Sequence, residues 1–109
     1  MNIDNSFYKR KGWRLKRVNI LKRDDYECRE CRRYGKRVDA TTVHHIYPYQ
    51  EYPDLALESD NLISLCNRCH ELMHDRGTQE ITALGKAWQV RADKKLKTKE
   101  NKKVEDEKI

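Results

Sequence analysis

Apolar and polar positions first fall into a helical rhythm between Phe7 and Arg23, where Trp13, Arg17, Ile20 and Leu21 stand three or four residues apart with Val18 beside them. This spacing predicts a basic helix over 7–23, with Ser6 or Asn5 available to cap it and Gly12 weakening its first turn. Trp13, Leu15, Ile20 and Leu21 are expected in the core, because so small a chain needs every large apolar residue it has. The rhythm then shortens. Thr41, Thr42, Val43 and Ile46 are β-branched and predict a strand over 41–46, Leu62–Leu65 predicts a second, and 67–75 a short helix that Gly77 closes. Pro48 and Pro53 punctuate a polar loop that carries Tyr47, Tyr49 and Tyr52 and runs to Asp60, too rich in proline for a central strand. Beyond Thr78, the positions Ile81, Leu84, Trp88 and Val90 or Ala92 predict a last helix within 80–97. Residues 97–109 offer almost nothing to bury and are expected to be disordered, as Met1 to Ser6 is expected to fray.

With 109 residues, 37% hydrophobic and 39% charged, the chain can fill one small domain whose core alone is thin. The cysteines change that picture. Cys28 and Cys31 form one C-x2-C pair and Cys66 and Cys69 another, and four thiolates match the closed tetrahedral shell of structural zinc. In zinc-finger peptides such a site contributes on the order of 10 to 16 kcal/mol, more than the whole stability of most domains. Disulfides in a secreted protein fit less well. Met1 to Lys11 is polar and basic rather than an apolar signal segment, and no run is long enough to span a membrane, so a reducing cytoplasm and no membrane partner are expected.

All four histidines lie between Val43 and His74. If the sulfur shell is full, His44, His45, His70 and His74 must pack, bind nucleic acid or build a second site. His70 and His74 are four apart, which on a helix puts both rings on one face, and a second, open metal site is the better reading. Each residue also has a plainer local reading. His70 could hydrogen-bond a thiolate, His74 could sit exposed at a helix end, and Asn61 could be a turn residue after Ser59 and Asp60. The formal charge of +6 divides into +8 over residues 1–37, −6 over 38–85 and +4 over 86–109. Basic arms thus flank an acidic, histidine-rich centre, an arrangement suited to arms that hold a polyanion and a centre that holds cations. The tyrosines of the loop could line a nucleic-acid groove or pack over the zinc.

The run Val43-His44-His45-Ile46 with Pro48, then Asn61-Leu62 ahead of Leu65-Cys66-Asn67-Arg68-Cys69-His70, resembles the HNH endonucleases in their cysteine-bearing, phage-type form. Cys28, Cys31, Trp13 and Arg14 extend the resemblance over roughly Phe7 to His74. It implies an α+β fold, a small zinc-stabilised domain with a ββα-metal core and flanking helices. That domain would occupy residues 1–78, leaving 79–109 as a C-terminal helix and basic tail. It also implies hydrolysis of DNA phosphodiester bonds. In this chain His45 would be the general base and Asn61 would hold the loop that aims it. His44, His70 and His74 would bind a catalytic divalent ion such as Mg²⁺, Mn²⁺ or Ni²⁺, and Cys28, Cys31, Cys66 and Cys69 the structural Zn²⁺. His70 joins His45 and Asn61 as the third residue of the family signature.

Double-stranded DNA is the expected partner, held by Arg14, Lys16, Arg17, Arg32, Arg33 and Arg37, and the resemblance further implies a phage-encoded protein that assists a terminase in genome packaging inside a bacterial host. The competing reading is a non-catalytic, zinc-organised DNA-binding module. Such a module has no need of His44, His45, Asn61, His70 and His74 together.

Overall fold

A two-stranded antiparallel hairpin, β1 (Thr42–His45) and β2 (Leu62–Leu65), pairs Thr42 with Leu65, Val43 with Ser64, His44 with Ile63 and His45 with Leu62. The computed structural model describes the backbone of residues 6–107 and the side chains of 7–96. Successive strand residues face opposite ways, and both faces of this hairpin are covered. Val43 and Leu62 join Phe7, Trp13, Ile20, Leu21 and Ala56 in one cluster. Ile46, Ile63 and Leu65 join the cysteines Cys28, Cys66 and Cys69 together with Met73, Trp88 and Ala92 in the other. Burial on both sides explains why all four residues of β2 are buried and why it reads as a continuous apolar run broken only by Ser64.

The first cluster is built by α1 (Ser6–Lys9) and α2 (Lys11–Arg23), which are separate helices with the break at Arg10, where a single helix over 7–23 is predicted from the spacing. Trp13, Ile20 and Leu21 are buried as expected, but Leu15 is 56% exposed. At about 100° per residue Leu15 lies about 200° around α2 from Trp13, on the opposite face. Two residues in the left-handed region, Asp25 and Tyr26 (φ 56° and 58°), end α2 and turn the chain into the first cysteine pair.

β2 is an edge strand, and α2 covers that edge with side chains. Ser64 N–H donates to Asp24 Oδ2 (3.1 Å), while Arg23 Nη2 donates to the Leu62 carbonyl (2.7 Å) and its Nη1 to the Ser59 carbonyl (2.9 Å). These contacts occupy groups that would otherwise invite a further strand.

The second cluster is closed by α3 (Arg29–Arg32), α4 (Asn67–Glu71) and α5 (Ala83–Glu107). Trp88 Nε1 donates to the buried carboxylate of Glu30 (2.7 Å), which also accepts from Arg33 (3.1 Å), locking α5 to α3. A Cβ on Gly85 would stand 2.7 Å from the Met73 carbonyl oxygen, so α5 crosses the chain after α4 where only glycine fits. The backbone of α5 continues through 97–107, where disorder is expected from composition, and the side chains from 97 onward lie outside the described residues, as do Met1 to Asn5. Among the described residues no helix is long and apolar enough to cross a membrane.

α4 stops at Glu71, four residues short of the predicted helix over 67–75, and Gly77 does not close it. The chain leaves the helical path because Asp75 N–H, which a helix would send back to the Glu71 carbonyl, donates to the Glu80 carbonyl (2.8 Å), and His74 and Ile81 form an isolated antiparallel bridge. Thr82 then ties the turn down, its N–H on the Met73 carbonyl (3.0 Å) and its Oγ1 on the Leu72 carbonyl (2.6 Å). Asp75 caps the intervening turn through Gly77 N–H (2.8 Å) and Thr78 N–H (3.1 Å).

Candidate active site and metal centre

The two cysteine pairs are presented in the same way. Cys28 immediately precedes α3 and Cys66 immediately precedes α4, and each helix carries the second cysteine of its pair within its first turn. The ligand atoms of Cys28, Cys31, Cys66 and Cys69 all lie within 4.8 Å of one another, and all four are free thiols. Cys31 Sγ is 3.9 Å from Cys66 Sγ and 3.7 Å from Cys69 Sγ. A tetrahedron of Zn–S bonds about 2.3 Å long has edges of about 3.8 Å, which these two distances match, so the set fits zinc.

The histidines divide between the two faces of the hairpin. His44, 5% exposed, points to the α4 side, where its ring centroid is 5.3 Å from that of His70 and 5.9 Å from that of His74. These rings stand wider apart than the cysteines. His74 reaches the group through its bridge to Ile81 rather than through helical spacing from His70. Burial first, then the neighbouring rings of His70, His74 and His45, push His44 down to about 3. Burial and His74 also lower His70, against the pull of Glu71. Both rings are therefore neutral near pH 7, the state in which imidazole binds a metal.

His45 faces the other way into an aromatic cage. Its ring stacks on Trp13 (centroids 4.9 Å apart, planes 22° from parallel) and lies 6.0 Å from Phe7 and 6.4 Å from Tyr49. Its Nε2 is 3.0 Å from the Ala56 carbonyl oxygen. A carbonyl can only accept, so the hydrogen sits on Nε2, and in the neutral ring Nδ1 carries the lone pair. Burial lowers His45 below the usual imidazole range, and the hydrogen bond to Ala56 opposes that only in part.

Asn61, fully buried, ties this arrangement together. Its Oδ1 accepts from Tyr47 N–H (2.8 Å), and its Nδ2 donates to the carbonyls of Tyr47 and Leu55 (3.1 Å each). The loop carrying Ala56 is thereby closed back on the end of β1. Of the loop tyrosines, Tyr47 and Tyr49 pack and Tyr52 stays 43% exposed. Tyr49 stacks on Phe7 at 4.4 Å, and Tyr47, held up at about 12 by burial and by its hydrogen bond to Asp93, stays a phenol that donates to α5. All four histidines, with Tyr8, Tyr49 and Gln50, line one cavity of about 360 Å³ along the free edge of β1.

Two features of this site have no signal in the sequence. The acceptor for His45 is a main-chain carbonyl on an alanine, and Trp13, read as a core anchor, is also the platform for the ring. Most of the basic residues are engaged within the fold. Arg14 is exposed, but Lys16 bonds Ser59 Oγ (2.5 Å), Arg17 the Thr41 carbonyl (3.3 Å), Arg32 the Asp24 carbonyl (2.6 Å) and Arg33 Glu30 (3.1 Å). Arg37, 89% exposed, is 3.8 Å from Glu27.

A family model described as HNH endonuclease matches residues 28–76. Among solved structures, the HNH endonuclease of the deep-sea thermophilic bacteriophage GVE2, determined with manganese ion, is 36% identical with a TM-score of 0.60, over 62% of this chain and 73% of that one. No curated protein matches the chain. The likeness to the phage enzyme includes sequence as well as fold and extends over most of that enzyme's length, and with the family match across both cysteine pairs and all four histidines it establishes that this chain belongs to the HNH endonuclease family.

Proposed function

We propose that the chain hydrolyses phosphodiester bonds of double-stranded DNA with His45 as general base. The observation that carries this reading is the hold on His45: Nε2 is committed to the Ala56 carbonyl, which leaves Nδ1 as the accepting atom of a neutral ring lining the histidine cavity. Nδ1 takes a proton from the water that attacks phosphorus. One P–O bond forms, the bond to the leaving ester oxygen breaks, and that oxygen is protonated from solvent. Asn61 acts as a positioning residue, since its three hydrogen bonds fix the loop that supplies the Ala56 carbonyl. His44, His70 and His74 would hold a divalent ion such as Mg²⁺, Mn²⁺ or Ni²⁺, which when bound neutralises charge on the scissile phosphate and the leaving oxygen. The neutral state of His44 and His70 supports that assignment, and manganese in the phage neighbour supports a divalent ion.

Zinc in the four-cysteine site would be structural. DNA would be gripped electrostatically by Arg14, Lys16, Arg17, Arg32, Arg33 and Arg37, and the enzyme would work beside a phage terminase in the cytoplasm of a bacterial host. Incubation of supercoiled plasmid with the zinc-loaded protein and added Mg²⁺, Mn²⁺ or Ni²⁺ tests the reading. Nicked or linear product with wild type and none with His45→Ala is the expected result. DNA retention without cleavage under any of the three ions would leave the binding module as the better account. Cleavage that changes when purified terminase is added would support the packaging role, and cleavage indifferent to it would remove that role.

A further inference from the structure

A strongly basic cavity lies on the opposite edge of the hairpin from the histidines. It encloses about 650 Å³ and is lined by Arg23, Arg29, Arg32, Arg33, Arg91 and Lys95, against the carboxylates of Asp24 and Asp60. The acids are partly spent within the fold. Asp24 is taken by Arg23 (2.9 Å), Arg29 (3.3 Å) and Ser64 N–H, and the nearby Glu30 by Arg33 and Trp88. Arg91 is held differently. Its guanidinium carbon stacks 4.8 Å from the Trp88 ring, on a helix that Trp88 anchors to α3, and Arg29 lies 5.7 Å from the same ring. Arg91 Nη1 is shut off from solvent and has no hydrogen-bond partner among the described residues. With Nη1 shut in and the Trp88 ring stacked against it, the guanidinium is held in one orientation while the residue lines the cavity.

We infer that this cavity is a second anion site, built to take phosphoryl oxygens at the edge of β2. Arg91 is its fixed donor, and Lys95, one turn along α5, adds a charge at the rim. Guanidinium groups stacked on an aromatic ring are pre-oriented for the planar, forked donation that phosphate oxygens accept. The same chemistry can come from the backbone of a nucleic-acid strand held away from the cleavage edge or from a free phosphate, and neither source depends on His45.

The test uses the full zinc-loaded chain in four forms: wild type, Arg91→Gln, Lys95→Gln and the control Lys86→Gln, an exposed cation of α5 outside the cavity. One arm compares thermal unfolding in inorganic phosphate and in chloride at matched ionic strength. The other measures affinity for a 20-base-pair duplex across a salt series with no catalytic ion added. A phosphate-specific rise in Tm of about 2–4 °C in wild type and control, lost in Arg91→Gln and Lys95→Gln, identifies a site open to free phosphate. A fall in duplex affinity of about 10-fold in both variants, with the salt slope shallower by about 1, identifies a backbone phosphate. If Arg91→Gln does not fold, Lys95→Gln decides alone. Phosphate response and duplex binding that match the Lys86→Gln control in both arms would overturn the proposal.

Discussion

The ring of His45 lies against the indole of Trp13, 4.9 Å between centroids and 22° from parallel, so the residue assigned as base is clamped between a stacked ring on its face and a main-chain carbonyl at its edge. The clamp does two things. It fixes which nitrogen is free, and by keeping water from the ring it favours the neutral form.

Replacing Trp13 therefore affects rate and pH profile together. Cleavage by the wild type is expected to rise with pH through a midpoint below about 6.5, because burial lowers His45 and a base must be unprotonated to act. Trp13→Ala readmits water, moves that midpoint up towards about 6.5, and lowers the plateau rate by about 10- to 100-fold as the ring loosens. It also costs about 3–5 kcal/mol of stability, since the indole is core. Trp13→Phe, which keeps a flat ring, recovers most of both. Nicking rates between pH 5 and 8.5 for the three proteins check this, and an unmoved midpoint in Trp13→Ala would separate the indole from the base.

Asn61→Ala leaves the N–H and carbonyl of Tyr47 and the carbonyl of Leu55 without their buried partner, at a cost of roughly 2–4 kcal/mol. Because the loop and not the DNA surface is disturbed, the turnover rate falls while duplex affinity and zinc content hold. Equal losses of affinity and turnover would show that Asn61 supports the whole fold rather than the aim of His45.

Cys31→Ser removes one ligand from a shell whose sulfur atoms already stand at zinc spacing. Zinc, fold and activity are expected to fail together, because zinc held by the four cysteines would link α3 to α4 across the end of β2. Metal analysis beside circular dichroism is the check. A folded, active protein without zinc would contradict a structural role for the site.

Asp24 is the buried carboxylate that covers the edge of β2. Burial works to raise it, but the hydrogen bonds from Arg23 and Ser64 N–H and the Arg23 charge prevail and hold it below the usual carboxylate range. Its folded value is the lower one, so its contribution to stability is complete above the unfolded value of about 3.9 and is lost only as pH falls below that through the folded value. Asp24→Asn is expected to cost about 2–3 kcal/mol, short of a fully enclosed ion pair because Arg23 and Arg29 remain partly open to water. Urea midpoints should show the same gap between wild type and variant at pH 8, 7 and 5. A gap that narrows over that range would mean the carboxylate titrates there and is not held down by its partners.

Much of this architecture is legible where it is local. β2 reads at its exact bounds because apolar residues buried on both faces leave a short continuous run, and the cysteine pairs read because C-x2-C spacing serves a single turn around a metal. The failures share a cause. Residue type alone predicts Leu15 in the core, although its angle on α2 turns it away from Trp13. Spacing from His70 predicts His74 on a helix, whereas Glu80, five residues downstream of Asp75, takes the Asp75 N–H that such a helix would send back to Glu71. The cover of Asp24 and Arg23 on β2 joins residues about 40 positions apart. The Ala56 carbonyl that fixes the His45 tautomer leaves no mark in side-chain chemistry at all. Contacts made by main-chain groups, or by side chains distant in sequence, are set by tertiary packing rather than by the periodicity a sequence displays.

The most direct test of the central claim is a titration of nicking rate with Mg²⁺ or Mn²⁺ for wild type, His45→Ala and His70→Ala. His45 is assigned to the proton and His70 to the ion, so His45→Ala should bind DNA and zinc normally yet cleave roughly 10² to 10⁴ times more slowly at every metal concentration. His70→Ala should recover in part as the ion is raised. Rescue of His45→Ala by metal with none for His70→Ala would reverse the two roles, and wild-type rates in both variants would place the chemistry outside the histidine cavity.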